Sequence, residues 1–453
     1  MKNARKHTLD MTKGSILLNT FRFAIPLMLA SFLQLLYNAA DLIVVSRFAG
    51  SNSMASVGAT TPISNLLINV FMGISLGTSV IVTRKFGAKR LKEMHRAVHT
   101  SVLLSIVLGL ASGIAGFCLA GPLLKLMGAP EGEVLDGAIL YMKIIFVSVP
   151  ASVIYNFGAA ILRAVGDTKR PLYILAISGA VNVMLNLVFV IGFHMAVEGV
   201  AIATAVSNYI SMFAVLYILA HSKDGVRVHF KLIRFYRNEL REILKIGVPA
   251  GIQSSFFSLS NSIIQSAVNS FGAAAVAGNA AAGSIEGFIY VAMNAFYQST
   301  ITGVSQNYGA QEKKRVNSTI RTNLVSVAVM GIIVSALCVI FARELLGIYI
   351  NDSQEAIEYG RLRIFWVGIP YLLCGIMEVL TGALRGLGSS ITPAVTTFIG
   401  TCGFRIIWVM TLLSLLGGTI EMLFLCWPVS WALVIVAHSV TLHFTKKKAL
   451  NFS

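Results

Sequence analysis

Charged residues are scarce in this sequence. Asp, Glu, Lys and Arg together make up 12% of its 453 residues, whereas an ordinary soluble domain contains about 25%. The mean hydropathy is +0.77. Apolar runs of about 18 residues or more, long enough to cross a membrane as a helix, recur along the chain. The shortage of charge therefore excludes an ordinary soluble domain and predicts an all-α polytopic membrane protein.

Several signatures of enzymes and metalloproteins are also missing. The sequence has no phosphate-binding P-loop and no His-Glu-x-x-His motif, which argues against ATP-driven pumping by this chain and against zinc hydrolysis. Its five Cys lie in apolar runs without the spacing of metal ligands, and its eight His are scattered. We therefore expect no enzymatic activity, no catalytic residues and no cofactor, and we interpret the cysteines as small core residues.

One hydrolase motif, Gly-x-Ser-x-Gly, does occur at residues 73–77. As a nucleophile elbow it requires a strand before it, a helix after it, and a His and an acid elsewhere. Here it lies within an apolar helical run. We interpret these glycines, and the Gly-x-x-x-Gly pairs at 109–113 and 382–386, as positions where two helices approach closely.

The net charge of +17 follows the predicted topology. Lys and Arg cluster in alternate loops, at residues 2–13, 84–96, 163–170, 223–245, 313–321 and 446–448. This distribution predicts an even number of membrane-spanning helices with both termini in the cytoplasm. It argues against nucleic acid as a partner and makes attraction to anionic lipid headgroups a secondary effect. The first apolar run is too long for a signal peptide, so we expect no cleavable leader.

Twelve membrane-spanning helices are predicted. They are residues 16–45, 57–83, 97–120, 138–160, 171–192, 199–220, 246–270, 277–304, 322–342, 361–384, 391–413 and 420–444. The first six and the last six form two bundles, at 14–222 and 242–445. A cytoplasmic linker at 223–241 joins them, and short cytoplasmic tails lie at 1–13 and 446–453.

The two predicted bundles resemble each other in sequence. Val149-Pro150 matches Ile369-Pro370, and Leu162-Arg163 matches Leu384-Arg385, at an offset of 220–223 residues that recurs in further pairs. Because each half has an even number of helices, the repeats have the same orientation. We expect them to be related by an axis along the membrane normal, with a cavity at their interface. Arg163 and Arg385, each at a predicted helix end, are interpreted as structural.

A carboxylate lies deep in the first predicted helix. Gln34, Asn38 and Asp41 are spaced i, i+4, i+7 and therefore share one face. If the helix ends at Gly50, Asp41 is roughly 13 Å from that end, well inside a ~30 Å hydrocarbon layer. A charge there costs on the order of 2.5–3.5 kcal/mol, which makes Asp41 a candidate functional residue. The alternative is a buried carboxylate that hydrogen-bonds a neighbouring helix.

Other predicted helices also carry polar stripes at helical spacing. The stripe residues predicted to line an internal cavity, with Asn38, are Asn65, Asn69, Asn261, Glu286, Tyr290 and Glu378. Ser, Thr and Asn also hold helices together, but this many amides and three carboxylates exceed that need. Glu286 and Glu378 either bind a cation or a proton, or form a salt bridge with Arg385 or Arg405.

Several stretches resemble the multidrug and toxic compound extrusion (MATE) family, near its DinF-like bacterial branch. They are Ala24-Ile25-Pro26, Gln34 to Asp41, Phe86-Gly87-Ala88, Gly158 to Pro171, Gln306 to Ala310 and Leu384 to Gly388. The resemblance implies a secondary active multidrug efflux antiporter of the cell membrane. Such a protein exports amphipathic, often cationic small molecules by alternating access, in exchange for inward protons or sodium ions. We expect it to be monomeric in the lipid bilayer.

The resemblance also implies a cation-coupling site in the amino-terminal bundle, with Asp41 as its carboxylate. Apart from a sodium ion at Asp41, we expect no bound metal. The other residues carried over are Gln34, Tyr141, Asn156, Asn182 and Thr204. One position departs from the family: many members have Asp four residues after the helix 5 Asn, where this chain has Asn186, which we include in the predicted coupling site. The Glu of helix 7 found in another branch is absent as well, since Phe257-Ser258 stand near its place.

Three other functions remain as alternatives. A flippase for a lipid-linked precursor would need several interior cations, whereas the predicted interior Arg are few, Arg405 and Arg22, and carboxylates outnumber them. A channel or receptor of the same fold would not accumulate a compound against its gradient. An intramembrane enzyme would need a reacting constellation that the sequence lacks.

Overall fold

The computed structural model describes residues 8–127, 132–222, 225–350, 353–415 and 417–450. Within these ranges the regular structure is helical and contains no strand, which confirms the predicted all-α class. Residues 1–7 and 451–453 of the predicted tails, and 223–224 of the predicted linker, lie outside the described residues.

The helices of the first half are α1 (Ile16–Val44), α2 (Gly50–Gly87), α3 (Leu91–Leu126), α4 (Glu133–Ala164), α5 (Lys169–Leu187), α6 (Val197–His221) and a 3-10 turn, Phe230–Leu232. Those of the second half are α7 (Arg237–Asn269), α8 (Ala273–Gly309), α9 (Lys313–Ile340), α10 (Ala342–Tyr349), α11 (Gln354–Arg363), α12 (Tyr371–Gly386), α13 (Ile391–Thr397), α14 (Phe404–Ile407), α15 (Leu413–Leu415) and α16 (Ile420–Ala449). π-helical segments extend or join several of them, at Val45–Ala49, Val188–Gly192, Ile364–Gly368, Phe398–Gly403 and Trp408–Leu412.

Each predicted span falls on one helix or on one run of consecutive helical segments. In the part of the chain that the structure describes, nine helices are long and apolar enough to cross a membrane. The pair α11 and α12, bent by 41°, provides a tenth. The helices α7 and α8 are long enough, at 33 and 37 residues, but less apolar because they carry polar stripes.

The predicted end of the first helix at Gly50 is wrong. The π-helical segment Val45–Ala49 connects α1 directly to α2, and Gly50 is the first residue of α2. A glycine inside a helix costs about 1 kcal/mol relative to alanine, which the packing of two long helices easily offsets. Asp41 still lies one turn before the end of α1.

The chain groups into two compact units. One contains Met1–Leu9 and Leu29–Gly247, and the other contains Asp10–Met28 and Val248–Ser453. The first part of α1 is therefore grouped with the second unit. The bundle boundaries inferred from the sequence remain a prediction.

Four helices, α2, α4, α8 and α12, end with the same capping geometry. Lys89 and Gln311 have φ of 56° and 61°, and Gly166 and Gly388 have φ of 84° and 93°. In each case the next residue's amide bonds the carbonyl five residues earlier, for example Arg90 N to Lys85 O and Glu312 N to Asn307 O. These are Schellman ends, which require a left-handed residue just past the helix. The two members of each pair are 222 residues apart, which agrees with the predicted internal repeat.

Glycines bring helices into backbone contact within each unit. In the first unit, a Cβ on Gly109 would lie 2.8 Å from Pro150 Cα, and one on Gly77 would collide with the carbonyl oxygen of Ile243. In the second, a Cβ on Gly382 would lie 3.0 Å from Tyr297 O. The Gly-x-Ser-x-Gly motif that ends at Gly77 therefore belongs to a helix contact between α2 and α7.

The linker docks on α3 in the first unit. The backbone amide of His229 donates to Nε2 of the buried His99 at 2.9 Å. Because Nε2 must accept this bond, the ring proton lies on Nδ1, which donates to the carbonyl of His95 at 2.7 Å. The amide of Tyr236 donates to Thr100 Oγ1 at 3.1 Å. The described part of the linker is thus held against α3 rather than forming a free tether.

Candidate functional site

A chain of four polar side chains links α1, α5 and α6 in the first unit. Asn186 Nδ2 donates to Asp41 Oδ1 at 2.5 Å and approaches Asn182 Oδ1 at 3.4 Å. Asn182 Nδ2 in turn approaches Thr204 Oγ1 at 3.5 Å. The structure therefore brings together four residues that the sequence analysis assigned to the coupling site.

The middle of this chain is shielded from solvent. Asn186 is fully buried and Asn182 is 5% exposed, whereas Asp41 is partly buried. The buried Oδ1 of Asn186 has no hydrogen-bond partner among the described residues. Such an orphaned acceptor costs about 1–3 kcal/mol. Together with the Asp41 carboxylate and the Thr204 hydroxyl it offers oxygen atoms of the kind that hard cations and protons bind.

Two π-helical segments flank the chain of polar groups. One begins at Val45, four residues after Asp41, and the other at Val188, two residues after Asn186. Insertions of this kind are frequent at functional sites, because the extra residue re-aims the side chains of the neighbouring turn. The two segments contribute Val45 and Val190 to a cluster of buried valines, which is completed by valines of α1, α2 and α6 and against which Tyr141 packs. Tyr141 is thus placed beside the site by apolar contact.

Two other predicted coupling residues, Asn156 and Gln34, form no hydrogen bond with these four side chains among the described residues. The side chain of Asn156 donates to the carbonyl of Ser152 in its own helix at 2.9 Å. Gln34 is exposed on α1, as is Asn38. Of the predicted cavity residues on α2, Asn65 is exposed and Asn69 is partly buried.

Sequence reasoning missed Tyr37. Its hydroxyl donates to the carbonyl of Ala176 on α5 at 3.1 Å. Its ring occupies the space where a side chain at Gly179 would stand. Tyr37 therefore fixes the distance between α1 and α5 one turn before Asp41. The signal was an amphipathic residue inside the polar stripe, but its partner is a backbone group that no sequence pattern marks.

Glu286 forms a buried salt bridge in the second unit. Arg363 Nε donates to its Oε1 at 2.9 Å and Nη2 to its Oε2 at 2.7 Å, and Arg363 Nη1 also bonds Asn279 Oδ1. The guanidinium lies over the ring of Trp427 at 5.0 Å. The salt-bridge alternative thus describes Glu286. The predicted partners, Arg385 and Arg405, are wrong for this residue, because α11 packs against α8 and brings Arg363 to Glu286 instead.

Glu378 has no ion pair or hydrogen bond among the described residues, and it lies within electrostatic range of Arg385 and Tyr290. Arg385 is 6% exposed and donates to Tyr297 Oη and, at 2.7 Å, to Gln253 Oε1. The hydroxyl of Tyr290 accepts a weak bond from Asn294 at 3.4 Å. Of the two candidate carboxylates in the second unit, Glu286 is paired with Arg363, and Glu378 is therefore the one that remains available for a cation.

Arg405 is a buried cation held by neutral groups. It is fully buried and donates to Ser430 Oγ and to Asn261 Oδ1, each at 3.1 Å. Its Nη2 has no hydrogen-bond partner in the part of the chain that the structure describes. Asn261, a predicted cavity residue, is exposed. Its side chain is oriented by the bond that its Oδ1 accepts from Arg405.

Comparisons with known proteins agree with this architecture. A MOP superfamily transporter from Pyrococcus furiosus Vc1, for which the reverse polarity of the binding pocket is described as suggesting a different function, superposes with a TM-score of 0.90 at 21% identity over 98% of both chains. An outward-facing multidrug resistance MATE family transporter of the MOP superfamily superposes with a TM-score of 0.87 at 22% identity, again over 98% of both chains. These similarities establish the fold.

Sequence relatives cover most of the chain. The probable multidrug resistance protein YpnP of Bacillus subtilis (strain 168) is 27% identical over 392 residues, 86% of this chain and 87% of YpnP. The probable multidrug resistance protein NorM of Thermotoga maritima is 25% identical over 414 residues, 89% of this chain and 88% of NorM. The MatE family model matches residues 26–188 and 249–430. Because that match spans most of both halves, the chain belongs to the MatE family of membrane transporters.

Proposed function

We propose that this protein is a secondary active multidrug efflux antiporter that exports amphipathic, often cationic compounds in exchange for inward protons or sodium ions. Relatives named as multidrug resistance and multidrug export proteins support the efflux part. The observation that carries the coupling part is the hydrogen-bonded chain from Asp41 through Asn186 and Asn182 to Thr204. We place the protein in the cell membrane with both termini cytoplasmic.

The coupling step follows from the bond between Asp41 and Asn186. While Asp41 is ionised, its Oδ1 accepts the amide proton of Asn186. A proton on that oxygen would remove the acceptor, and the acid would then donate to the unpaired Oδ1 of Asn186. A sodium ion at the carboxylate would likewise displace the amide NH₂ and prefer the amide oxygen. Either cation thus changes how α1 is held to α5, and this change is proposed to release the substrate outward.

The energy available sets the scale of transport. A cation that crosses inward contributes ~2.3 kcal/mol per 100 mV. For a neutral compound, one cation per cycle therefore supports a gradient of roughly fiftyfold per 100 mV. A singly charged substrate exchanged one for one moves no net charge, so only the concentration gradient of the coupling ion drives its export.

Efflux of a fluorescent organic cation from cells tests the role of Asp41. We expect Asp41→Asn to abolish gradient-driven efflux, because an amide neither binds nor releases a proton. The matched control is Asp136→Asn, which makes the same chemical change at an exposed residue near the start of α4. Efflux at the wild-type rate by well-expressed Asp41→Asn protein would reject the proposed coupling role.

Proteoliposomes under separately imposed sodium and proton gradients identify the coupling ion. Uptake of a fluorescent cation that responds to one gradient alone would identify that ion. A response to neither gradient would reject antiport and leave efflux without its proposed energy source.

A lipid-linked precursor flippase is the second candidate, and Arg405 is the observation that favours it. A buried guanidinium without a carboxylate partner among the described residues suits the phosphate of such a precursor. Translocation of a fluorescent diphosphate lipid in proteoliposomes, lost in Arg405→Gln, would support this candidate. Accumulation of a soluble cation against its own gradient would favour the antiporter.

A further inference from the structure

A basic pocket of about 700 Å³ lies in the second unit, between the start of α9 and the end of α16. Its lining residues are Lys314, Asn317, Ser318, Arg321, His443, Lys446, Lys447 and Leu450. Four of the eight are Lys or Arg and none is acidic. The transport proposal uses none of them.

The four cations of the basic pocket have no acidic partner in the part of the chain that the structure describes. Among the described residues, no carboxylate forms an ion pair with any of them. Lys85 of the first unit, by contrast, pairs with Glu93 at 2.9 Å and Glu242 at 3.4 Å. Lys446 is only partly exposed and interacts electrostatically with Arg321. Like charges held in one cavity repel each other, so an anion among them is stabilised by several cations at once.

The chemistry of the lining favours a phosphate group. Lys binds phosphate as a point charge, and Arg adds a planar fork of donors that matches phosphate oxygens. Asn317 and Ser318 add neutral hydrogen-bonding groups at the same end of α9. A site with several cations and neutral donors accommodates a multiply charged anion without burying an unpaired charge.

Exposed apolar side chains lead away from the pocket along both helices. On α9, Val325 and Val329 follow Arg321 at i+4 and i+8 and are 64% and 51% exposed. On α16, Phe444 and Val440 precede the Lys residues and are 66% and 53% exposed. Because α9 runs from the pocket and α16 runs towards it, both stripes enter the membrane-spanning region from one end. An anion that carries hydrocarbon chains therefore fits this place better than a soluble phosphate.

We propose that the basic pocket binds the phosphate headgroup of an anionic phospholipid, with its acyl chains along the apolar stripes of α9 and α16. Basic pockets between membrane helices are known to bind such headgroups. None of the lining residues belongs to the coupling site at Asp41, and we propose the bound lipid as a structural or regulatory ligand and not as a transported compound.

Native mass spectrometry of the purified full-length protein, titrated with phosphatidylglycerol and with phosphatidylcholine, tests the proposal. The variant is the triple change Lys314→Gln, Arg321→Gln and Lys446→Gln. Each Lys or Arg that faces an anionic lipid headgroup contributes about 1 kcal/mol, or roughly fivefold in affinity, so we expect the affinity for phosphatidylglycerol to fall on the order of 100-fold. Phosphatidylcholine binding should not change.

The matched control removes three exposed Lys of the first unit, by Lys92→Gln, Lys231→Gln and Lys245→Gln. Both triple variants carry the same net charge. We expect the control to bind phosphatidylglycerol within about twofold of the wild type, because surface charges outside a pocket act weakly. An equal loss in the two triple variants would show general surface attraction and overturn the proposal.

Two further measurements keep the result decisive. Arg321→Lys retains the charge and should retain most of the binding, and Arg321→Gln alone should lose about fivefold, so the test stands even if the triple variant does not fold. Inorganic pyrophosphate distinguishes a soluble ligand. If it binds the wild type through this pocket while phosphatidylglycerol shows no preference over phosphatidylcholine, the pocket is a site for a soluble phosphate and the lipid proposal is wrong.

Discussion

The buried salt bridge between Glu286 and Arg363 gives a prediction about stability. The side chains of Arg363 and Glu286 are 11% and 6% exposed, and both oxygens of the carboxylate are bonded. We propose Glu286→Gln, Arg363→Met and the double variant. Each single change leaves one buried charge without its partner, whereas the double change removes both charges.

The expected magnitudes follow from this difference. Each single change should lower the free energy of unfolding by about 3–5 kcal/mol, the usual cost of an uncompensated buried charge. In the double variant the main remaining cost is Asn279, which loses the bond from Arg363 to its Oδ1. An unpaired buried acceptor costs about 1–3 kcal/mol. The double variant should therefore be more stable than either single variant, with an interaction energy of at least about 3 kcal/mol.

Unfolding of the detergent-solubilised protein by sodium dodecyl sulfate, followed by tryptophan fluorescence, measures these energies. The matched control is Glu358→Gln, since Glu358 pairs with Arg361 of the same helix at 2.9 Å but both side chains are about half exposed, at 55% and 49%. An exposed pair contributes only about 0.2–1 kcal/mol.

Two results would refute this reasoning. One is a loss in both single variants no larger than in Glu358→Gln, which would mean that the pair is effectively solvated. The other is a double variant whose loss equals the sum of the single losses, because the two charges would then act independently. The double variant also separates structure from transport: we expect it to retain efflux. A folded double variant without efflux would assign the Glu286–Arg363 pair to the transport cycle.

Three further predictions concern other contacts. Asn186→Ala should lower coupled efflux at normal expression because Asp41 loses its amide donor, and unchanged uptake in proteoliposomes would contradict this. Gly77→Val should destabilise the first unit by about 1–3 kcal/mol or more, because the new side chain clashes with the backbone of α7. This is measured as a lower Tm in detergent, and an unchanged Tm would mean that the two helices can move apart without loss of stability. His99→Ala should remove the acceptor that anchors the linker, so hydrogen exchange of the linker amides should accelerate by more than the loss of global stability explains. Linker amides that accelerate only as much as the amides of the rest of the unit would show that the other contacts suffice.

Much of the architecture was predictable because the membrane constrains the sequence strongly. A spanning segment must satisfy its own backbone hydrogen bonds and must be apolar for about 20 residues, so the long runs marked the helices. The repeat was visible because similar helix ends need similar residues, as at Gly166 and Gly388. The helix end predicted at Gly50 was wrong because a glycine permits a helix end without requiring one.

The candidate site was predictable only in part. The stripe with Asp41 and the amides Asn182 and Asn186 could be read from helical spacing, because residues on one face of a helix face the same neighbour. Their mutual bonds could not, since they depend on how α1, α5 and α6 rotate and approach. Tyr37 was missed for this reason: its partner is a backbone carbonyl, which every residue possesses.

The sequence alone determined that the chain is a helical membrane protein with an internal repeat and buried carboxylates, because hydropathy, charge distribution and helical periodicity are local properties. Only the tertiary structure decided which buried charges meet. Glu286 pairs with Arg363, Arg405 is held by neutral groups and Glu378 has no ion pair among the described residues. The physical reason is that an ion pair depends on distances of a few ångströms between helices far apart in sequence. These distances are set by how whole helices pack, including where they bend and where glycines let them approach.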